Sequence, residues 1–291
     1  MPLTVALCAI MRDEARYIVE WIAYHRVIGF DSILIYDNHS TDALPAICRA
    51  LAAAGVITYV PWPDPLDSLE HGPQVYAYQH AARHLDADWL CCLDADEFLT
   101  LETAATVQAL IADAGRDGMP IALNWRNFGS GGAIHAVPGL VMERFQRCGT
   151  PASVANINVK TLGPMLAVRA GASVHIHGWP LAGGQYYVNA TGARVEVEGS
   201  TWLKPPRWRG AWINHYIVKS LEEFEEKQRR GDASMGSARP DKYGRTYEGY
   251  FLPYDQNECE DQTIQRFVAS TKQEMARLEE IVENARMADV A

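Results

Sequence analysis

The sequence predicts an α/β protein: a mostly parallel, mixed sheet flanked by helices and followed by charged C-terminal helices. Two observations carry that expectation. Over the first 125 residues, short apolar runs alternate with longer amphipathic segments, the rhythm of strand and crossover helix. Several of those runs also end in clustered polar residues, and the carboxyl ends of parallel strands are where loops converge on a ligand. Taken in order, Thr4 to Ile10 reads as a strand, and Asp13 to Val27 as a helix with Ile18, Trp21, Ile22 and His25 on one face. "DSILIYDNHSTD" supplies a second strand with a polar end, and Thr41 to Ala54 a second helix that Gly55 ends. Val56 to Val60 is a third strand, "PWPDPLDSLEHGP" a proline-rich loop, Val75 to Leu85 a third helix and Trp89 to Leu93 a fourth strand.

Beyond residue 125 the rhythm weakens. "NFGSGGAIHAVPG" reads as a glycine-rich loop, "VKTLGPMLAVRAGASVHIHG" as short strands and "YYVNATGARVEVEG" as a hairpin. Ser220 to Arg230 and Cys259 to Ala285 read as helices whose charges are solvated faces. The composition, 48% hydrophobic and 21% charged, is that of a folded globular chain. A formal charge of -10 argues against a general nucleic-acid binder. The six cysteines form no CxxC pair and read as reduced core thiols. The amino terminus lacks the basic leader and cleavage site of a secretory signal, and no segment reaches the roughly 20 apolar residues of a membrane span, so the expected compartment is the cytoplasm.

The chemistry concentrates in "WLCCLDADEFLTL", where an apolar strand runs straight into Asp94, Asp96 and Glu97. Clustered carboxylates need a compensating charge. Asp94 and Asp96, one residue apart, can reach one hard cation, Mn2+ or Mg2+, whose open positions phosphate oxygens fill. The competing reading makes "DADE" an acidic cap for a helix beginning near Glu102.

"IMRDEARYIVEWIAYHRVIGFDSILIYDNHSTD", "WLCCLDADEFLTL", "NWRNFGSGG" and "INHYIVKSLEEFEEKQRRG", in that order, resemble the family 2-like bacterial glycosyltransferases related to glycosyltransferase family 92. The resemblance implies a GT-A (Rossmann-like) fold and a metal-dependent transfer of a sugar from a nucleoside-diphosphate sugar, UDP favoured, to a glycan or small-molecule acceptor. It implies a GT-A domain over residues 1–231, with 1–125 the nucleotide-sugar half and 126–231 the acceptor half, and a helical extension over 232–291. Asp94 and Asp96 match its DxD positions, and Glu14, Asp37, Asn38 and Asp42 the nucleotide side.

Several further residues are candidates for the same site. His215 in "INHYIVKS" and His177 in "VHIHG" could complete the metal shell as neutral imidazoles. Glu143 in "GLVMERF" is the candidate general base of an inverting transfer. Trp125 and Phe128 could stack on a sugar or serve the core. Gln74, Tyr78 and Arg83 share a helix that leads to the fourth strand, and Arg83 or Lys219 could meet a pyrophosphate. If the acceptor is lipid-linked, "PPRWRG" is the segment expected to touch a membrane surface. The rival functions are a nucleotidyltransferase or phosphohydrolase using the same carboxylates, and a silent nucleotide- or glycan-binding module.

Overall fold

The structure, a computed structural model, describes residues 2–63, 72–115, 117–230 and 246–290. The first half alternates as expected: β1 (Val5–Met11), α1 (Ile18–Val27), β2 (Ser32–Asp37), α2 (Leu44–Ala53), β3 (Thr58–Pro61), α3 (Gly72–His84) and β4 (Trp89–Cys92). A second run follows, with β5 (Glu97–Leu101), α4 (Val107–Ala114), β6 (Ile121–Asn127), α5 (Val141–Arg144), β7 (Arg147–Cys148), β8 (Val159–Pro164) and α6 (Met165–Arg169). The chain continues through β9 (Tyr187–Val188), β10 (Arg194–Val195), β11 (Ala211–His215) and α7 (Leu221–Arg230). It ends with the short α8 (Leu252–Tyr254), β12 (Cys259–Glu260) and the long α9 (Val268–Val290).

The main sheet runs β10-β9-β6-β8-β4-β1-β2-β3, and β11 joins it by pairing with β6 and β5. Its centre is parallel, since β1 pairs with β2 and β4, and β2 with β3, while β8 enters antiparallel between β4 and β6. This is the mostly parallel, mixed α/β arrangement that the sequence predicts. Every residue of β1 and of β4 is buried, because helices cover both faces and a parallel sheet has no solvent side. The C-terminal helix is part of the same core: α9 packs on α1 and α2 with Leu278 and Val282 buried, and Arg26 of α1 pairs with Glu274 at 2.8 Å. The boundary expected at residue 231/232 lies outside the described residues.

The departures from expectation have local causes. α1 starts at Ile18 and not at Asp13, because Asp13 has φ 51, a left-handed backbone that cannot open a helix. Residues 174–178 form no strand, so His175 and His177 share no strand face, and Met165–Arg169 is a helix where strand was expected. The stretch from Cys259 begins as a strand, Cys259 lying opposite Cys148, and turns helical only from Thr263 onward. The hairpin at β9 and β10 forms as read. The six cysteines carry free thiols, five of them buried. Among the described residues no helix is long and apolar enough to cross a membrane.

Candidate active site

The parallel register sets a single rim. Met11 at the end of β1 lies opposite Asp37 at the end of β2, and Leu93, just past β4, donates its N–H to the Cys8 carbonyl of β1 at 3.0 Å. The loops carrying Asp13, Asp37 and Asp94 therefore leave the sheet on the same side.

"DADE" is a tight turn between β4 and β5, and this excludes the helix-cap reading, because Glu97 opens a strand and the next helix begins only at Val107. Three contacts fix the turn. The Asp94 N–H donates to the Glu97 carboxylate at 2.8 Å, and the Trp21 indole N–H of α1 donates to the carbonyls of Asp94 and Glu97 at 3.1 and 2.9 Å. The register of β11 on β5 then places His215 opposite Glu97, and the Tyr216 N–H donates to the Asp96 carbonyl at 2.8 Å. His215 thus reaches the turn through strand pairing, from more than a hundred residues away.

The charge that compensates the carboxylates comes from two lysines that the sequence reading assigned no part. Lys160 of β8 is fully buried, and its ammonium lies 3.1 Å from Asp94 Oδ2 and 3.0 Å from Glu97 Oε2. Asp94 Oδ1 accepts from Gln74 Nε2 at 2.7 Å and from the Tyr78 hydroxyl at 3.3 Å, so both of its oxygens are engaged. Lys227 of α7 holds Asp96 Oδ2 and donates also to the Ile217 carbonyl at 3.0 Å. Burial pushes both aspartates up, but Lys160 pulls Asp94 below the ordinary range, and Lys227 holds Asp96 well below it. In Glu97 burial outweighs the pull of Lys160 and raises the pKa.

Asp96 Oδ1 faces His215 Nε2 at 3.6 Å. The state of that imidazole follows from its other nitrogen. Asn127 Nδ2 donates to the Ala155 carbonyl and to Asn156 Oδ1, both at 2.8 Å, which turns Asn127 Oδ1 toward His215 Nδ1 at 2.9 Å. An oxygen acceptor at Nδ1 requires the proton there and leaves Nε2 as a lone pair. Burial lowers the His215 pKa and favours the neutral ring, whose face packs on Trp125 at 4.2 Å. Two lone pairs thus converge on one point, an arrangement that a hard cation satisfies. Among the described residues no three His, Cys, Asp or Glu side chains gather as a ready metal cluster. The donor set is this pair, with the partly exposed Asp94 beside it.

The other candidates distribute as follows. Asp37 accepts from the Ser40 N–H at 3.0 Å and the Tyr59 hydroxyl at 2.6 Å, and Asn38 donates to the Trp62 carbonyl at 3.2 Å. Asp42 accepts from the N–H groups of Ala15 and Leu44, both at 2.8 Å, while Glu14 is buried with its carbonyl receiving the Tyr17 and Ile18 N–H groups. These four shape the rim loops. Arg83 does not join them: it is exposed near the end of α3, nine residues beyond the Gln74 that touches Asp94, which is about 13 Å further along the helix. Phe128 is a core residue, 1% exposed and 4.9 Å from Tyr216. Glu143 pairs with Lys272 of α9 at 2.7 Å and touches no member of the Asp94–Asp96 cluster. His177 lies with its ring 5.3 Å from Trp125, within reach of the charges of Lys160 and Asp94, and burial lowers its pKa to about 4. Trp208 of "PPRWRG" is half-buried, its N–H bonded to the Trp125 carbonyl at 2.9 Å and its ring under Arg126, so its indole is anchored to the protein.

Lys227, which holds Asp96, also lines a cleft of about 260 Å³ together with Asp13, Arg16, Tyr17, Asp42, Val218, Lys219, Glu223 and Glu226. Asp13 and Lys219 both hold positive φ, 51 and 55, a backbone cost of about 1 kcal/mol each that marks a constrained rim.

The fold and rim define an α/β protein with a charged cleft at the carboxyl ends of its parallel strands. Residues 1–135 match the sequence profile of glycosyltransferase family 92. A glycosyltransferase family 92 protein of Ricinus communis is 25% identical over 235 residues, covering 78% of this chain and 37% of that protein. One from Oryza sativa subsp. japonica is 30% identical over 111 residues, 37% of this chain and 18% of that protein. The chain therefore spans well under half the length of these curated relatives. Among solved structures, residues 1–349 of S. aureus TarS superpose with a TM-score of 0.42 at 12% identity, covering 94% of this chain and 71% of that one. Glucosyl-3-phosphoglycerate synthase from Mycobacterium tuberculosis, in complex with Mn2+, UDP and glucosyl-3-phosphoglycerate, gives a TM-score of 0.28 at 15% identity, covering 43% and 44%.

Proposed function

We propose that this protein is a metal-dependent glycosyltransferase that moves a sugar from a nucleoside-diphosphate sugar, UDP favoured, to a hydroxyl acceptor of glycan type. The observation that carries the reading is the convergence of Asp96 Oδ1 and the fixed lone pair of His215 Nε2 at the strand-end rim. The family 92 match over residues 1–135, which includes Asp94 and Asp96, supports it.

In this reading Asp96 and His215 hold Mn2+ or Mg2+ with Asp94 alongside, and the cation, when bound, neutralises the charge that develops on the departing diphosphate. The protein's own residues do the rest. Asn127 keeps the His215 proton on Nδ1, and Lys160 keeps the Asp94–Glu97 turn closed. Trp125, tilted against His215 with ring centres 4.2 Å apart, screens one side of the site from water. The acceptor oxygen attacks the anomeric carbon, the bond from that carbon to the diphosphate oxygen breaks with its electron pair leaving on the diphosphate, and the acceptor proton passes to a base or water.

Inversion is the expected outcome. A retaining double displacement needs a free carboxylate nucleophile, and in this reading Asp94 and Glu97 are held by Lys160 while Asp96 would be taken up by the cation. The test is calorimetric titration of UDP and GDP, with and without Mn2+, into wild type and an Asp94→Asn, Asp96→Asn double variant. Mn2+-dependent binding of one nucleotide, lost in the double variant, supports the reading. Binding of neither nucleotide to the wild type contradicts it.

A further inference from the structure

Lys160 and Lys227 both neutralise carboxylates of the turn, but they are built differently. Lys160 is fully buried, sits on a central strand and bridges two carboxylates, so nothing can replace it without opening the core. Among the described residues Lys227 has one carboxylate partner, and it retains some exposure and lines the adjoining cleft. The same cleft carries Arg16 and Lys219 together with Asp13, Asp42, Glu223 and Glu226, whose carboxylates are taken up by backbone N–H groups, Arg144 and Arg16, so an ammonium leaving Asp96 stays among fixed charges and does not enter bulk solvent.

From this asymmetry we infer that Lys227 is an exchangeable counter-ion: without donor it holds Asp96, and on donor binding it yields Asp96 to the divalent cation and turns to the diphosphate in the adjoining cleft. The inference rests on the donor-site reading above. No covalent bond changes, and the charge balances, because the cation that replaces the ammonium arrives with an anionic diphosphate that the ammonium then meets. The exchange couples the two ligands. Metal alone must compete with Lys227 for Asp96, whereas metal with nucleotide offers the lysine a new partner. Lys227 is then a positioning residue whose signature is the synergy between metal and nucleotide.

The experiment measures Mn2+ binding by the loss of the free-ion electron paramagnetic resonance signal, with and without UDP, in wild type, Lys227→Met, Lys227→Gln and Lys227→Arg. Lys227→Gln keeps a donor for the Ile217 carbonyl and so guards against misfolding of the Met variant. The expected result is that both neutral variants bind Mn2+ alone about tenfold tighter than wild type. Their gain from added UDP falls by a similar factor, and Lys227→Arg stays close to wild type. A lysine that merely anchors α7 would lower stability without tightening Mn2+. Equal Mn2+ affinity in wild type and both neutral variants overturns the inference and leaves the donor site standing. A wild type that binds no Mn2+ even with UDP overturns the donor-site reading and the inference with it.

Discussion

Two lysine-carboxylate pairs less than a turn apart in sequence on the carboxylate side behave as different devices. The Lys160 knot ties the partly exposed Asp94 to the fully buried Glu97 through a fully buried ammonium, whereas the Lys227 bridge holds Asp96 through an ammonium that lines a cleft. A fourth carboxylate shows burial set against backbone donors. Glu20 of α1 accepts the N–H groups of Val141 and Met142, at 2.9 and 3.1 Å, and its burial lifts its pKa to about 7. The comparison teaches that a lysine holds each aspartate ionised against its burial, whereas in Glu97 and Glu20 burial outweighs the donors and raises the pKa.

The largest effect should come from the knot. Lys160→Met leaves Glu97 fully buried and Asp94 partly buried without a cation and should cost roughly 3–5 kcal/mol in urea denaturation, while Lys227→Met should cost about 1–2 kcal/mol. Equal costs would erase the distinction between knot and bridge.

Glu20 supplies the next. Its folded pKa lies above its unfolded value, so its contribution to stability is complete below about pH 4.5 and is lost as pH rises through about 7. Stability measured across that interval should fall by on the order of 2–3 kcal/mol for this group, and Glu20→Gln should flatten the profile. An unchanged slope in the variant would remove Glu20 as the contrast case.

Asn127 tests the bridge side. Asn127→Ala frees the His215 tautomer and should weaken Mn2+ binding about 10–100-fold, whereas Asn127→Asp keeps an oxygen acceptor and should retain most of it. Weakening by both to the same degree would mean that the oxygen facing His215 Nδ1 is not what matters.

The smallest effect belongs to Glu143. Paired with Lys272 on the surface, it should cost less than about 1 kcal/mol when changed to Gln and alter turnover by less than about twofold. A base in the reaction would instead show a loss of about 10²-fold or more.

The legibility of this molecule in its sequence follows the same division. The strands of the first half announce themselves because parallel strands buried on both faces are apolar throughout, as β1 and β4 are. β5 was hidden because Glu97 follows an acidic turn without glycine or proline, and its charge reads as helix cap until the pairing with β11 is known. Lys160 stands alone in an apolar strand, a signal that was present, but lysine is so rarely buried that its strand did not suggest a partner. Lys227 and Glu223 sit among charges that read as one solvated face, although Glu223 is buried against Arg144 at 2.7 Å and Lys227 meets Asp96. Asn127 could not be read at all, since its role depends on the register of β6 against β11. Asp94, Asp96 and His215, which the structure brings to one turn, lie in an ordered set of motifs, Phe128 takes the core role that the sequence left open, and Arg83 lies apart because a motif gives proximity in sequence and not the direction of a side chain.

The most direct test of the account is nucleotide release from a panel of UDP- and GDP-sugars with Mn2+, by wild type and Asp96→Asn, in the presence of mixed hydroxyl acceptors. The account predicts that wild type liberates the nucleoside diphosphate from at least one sugar donor and that Asp96→Asn reduces this to background. Release by the variant at the wild-type rate, or none by wild type from any donor, would contradict it.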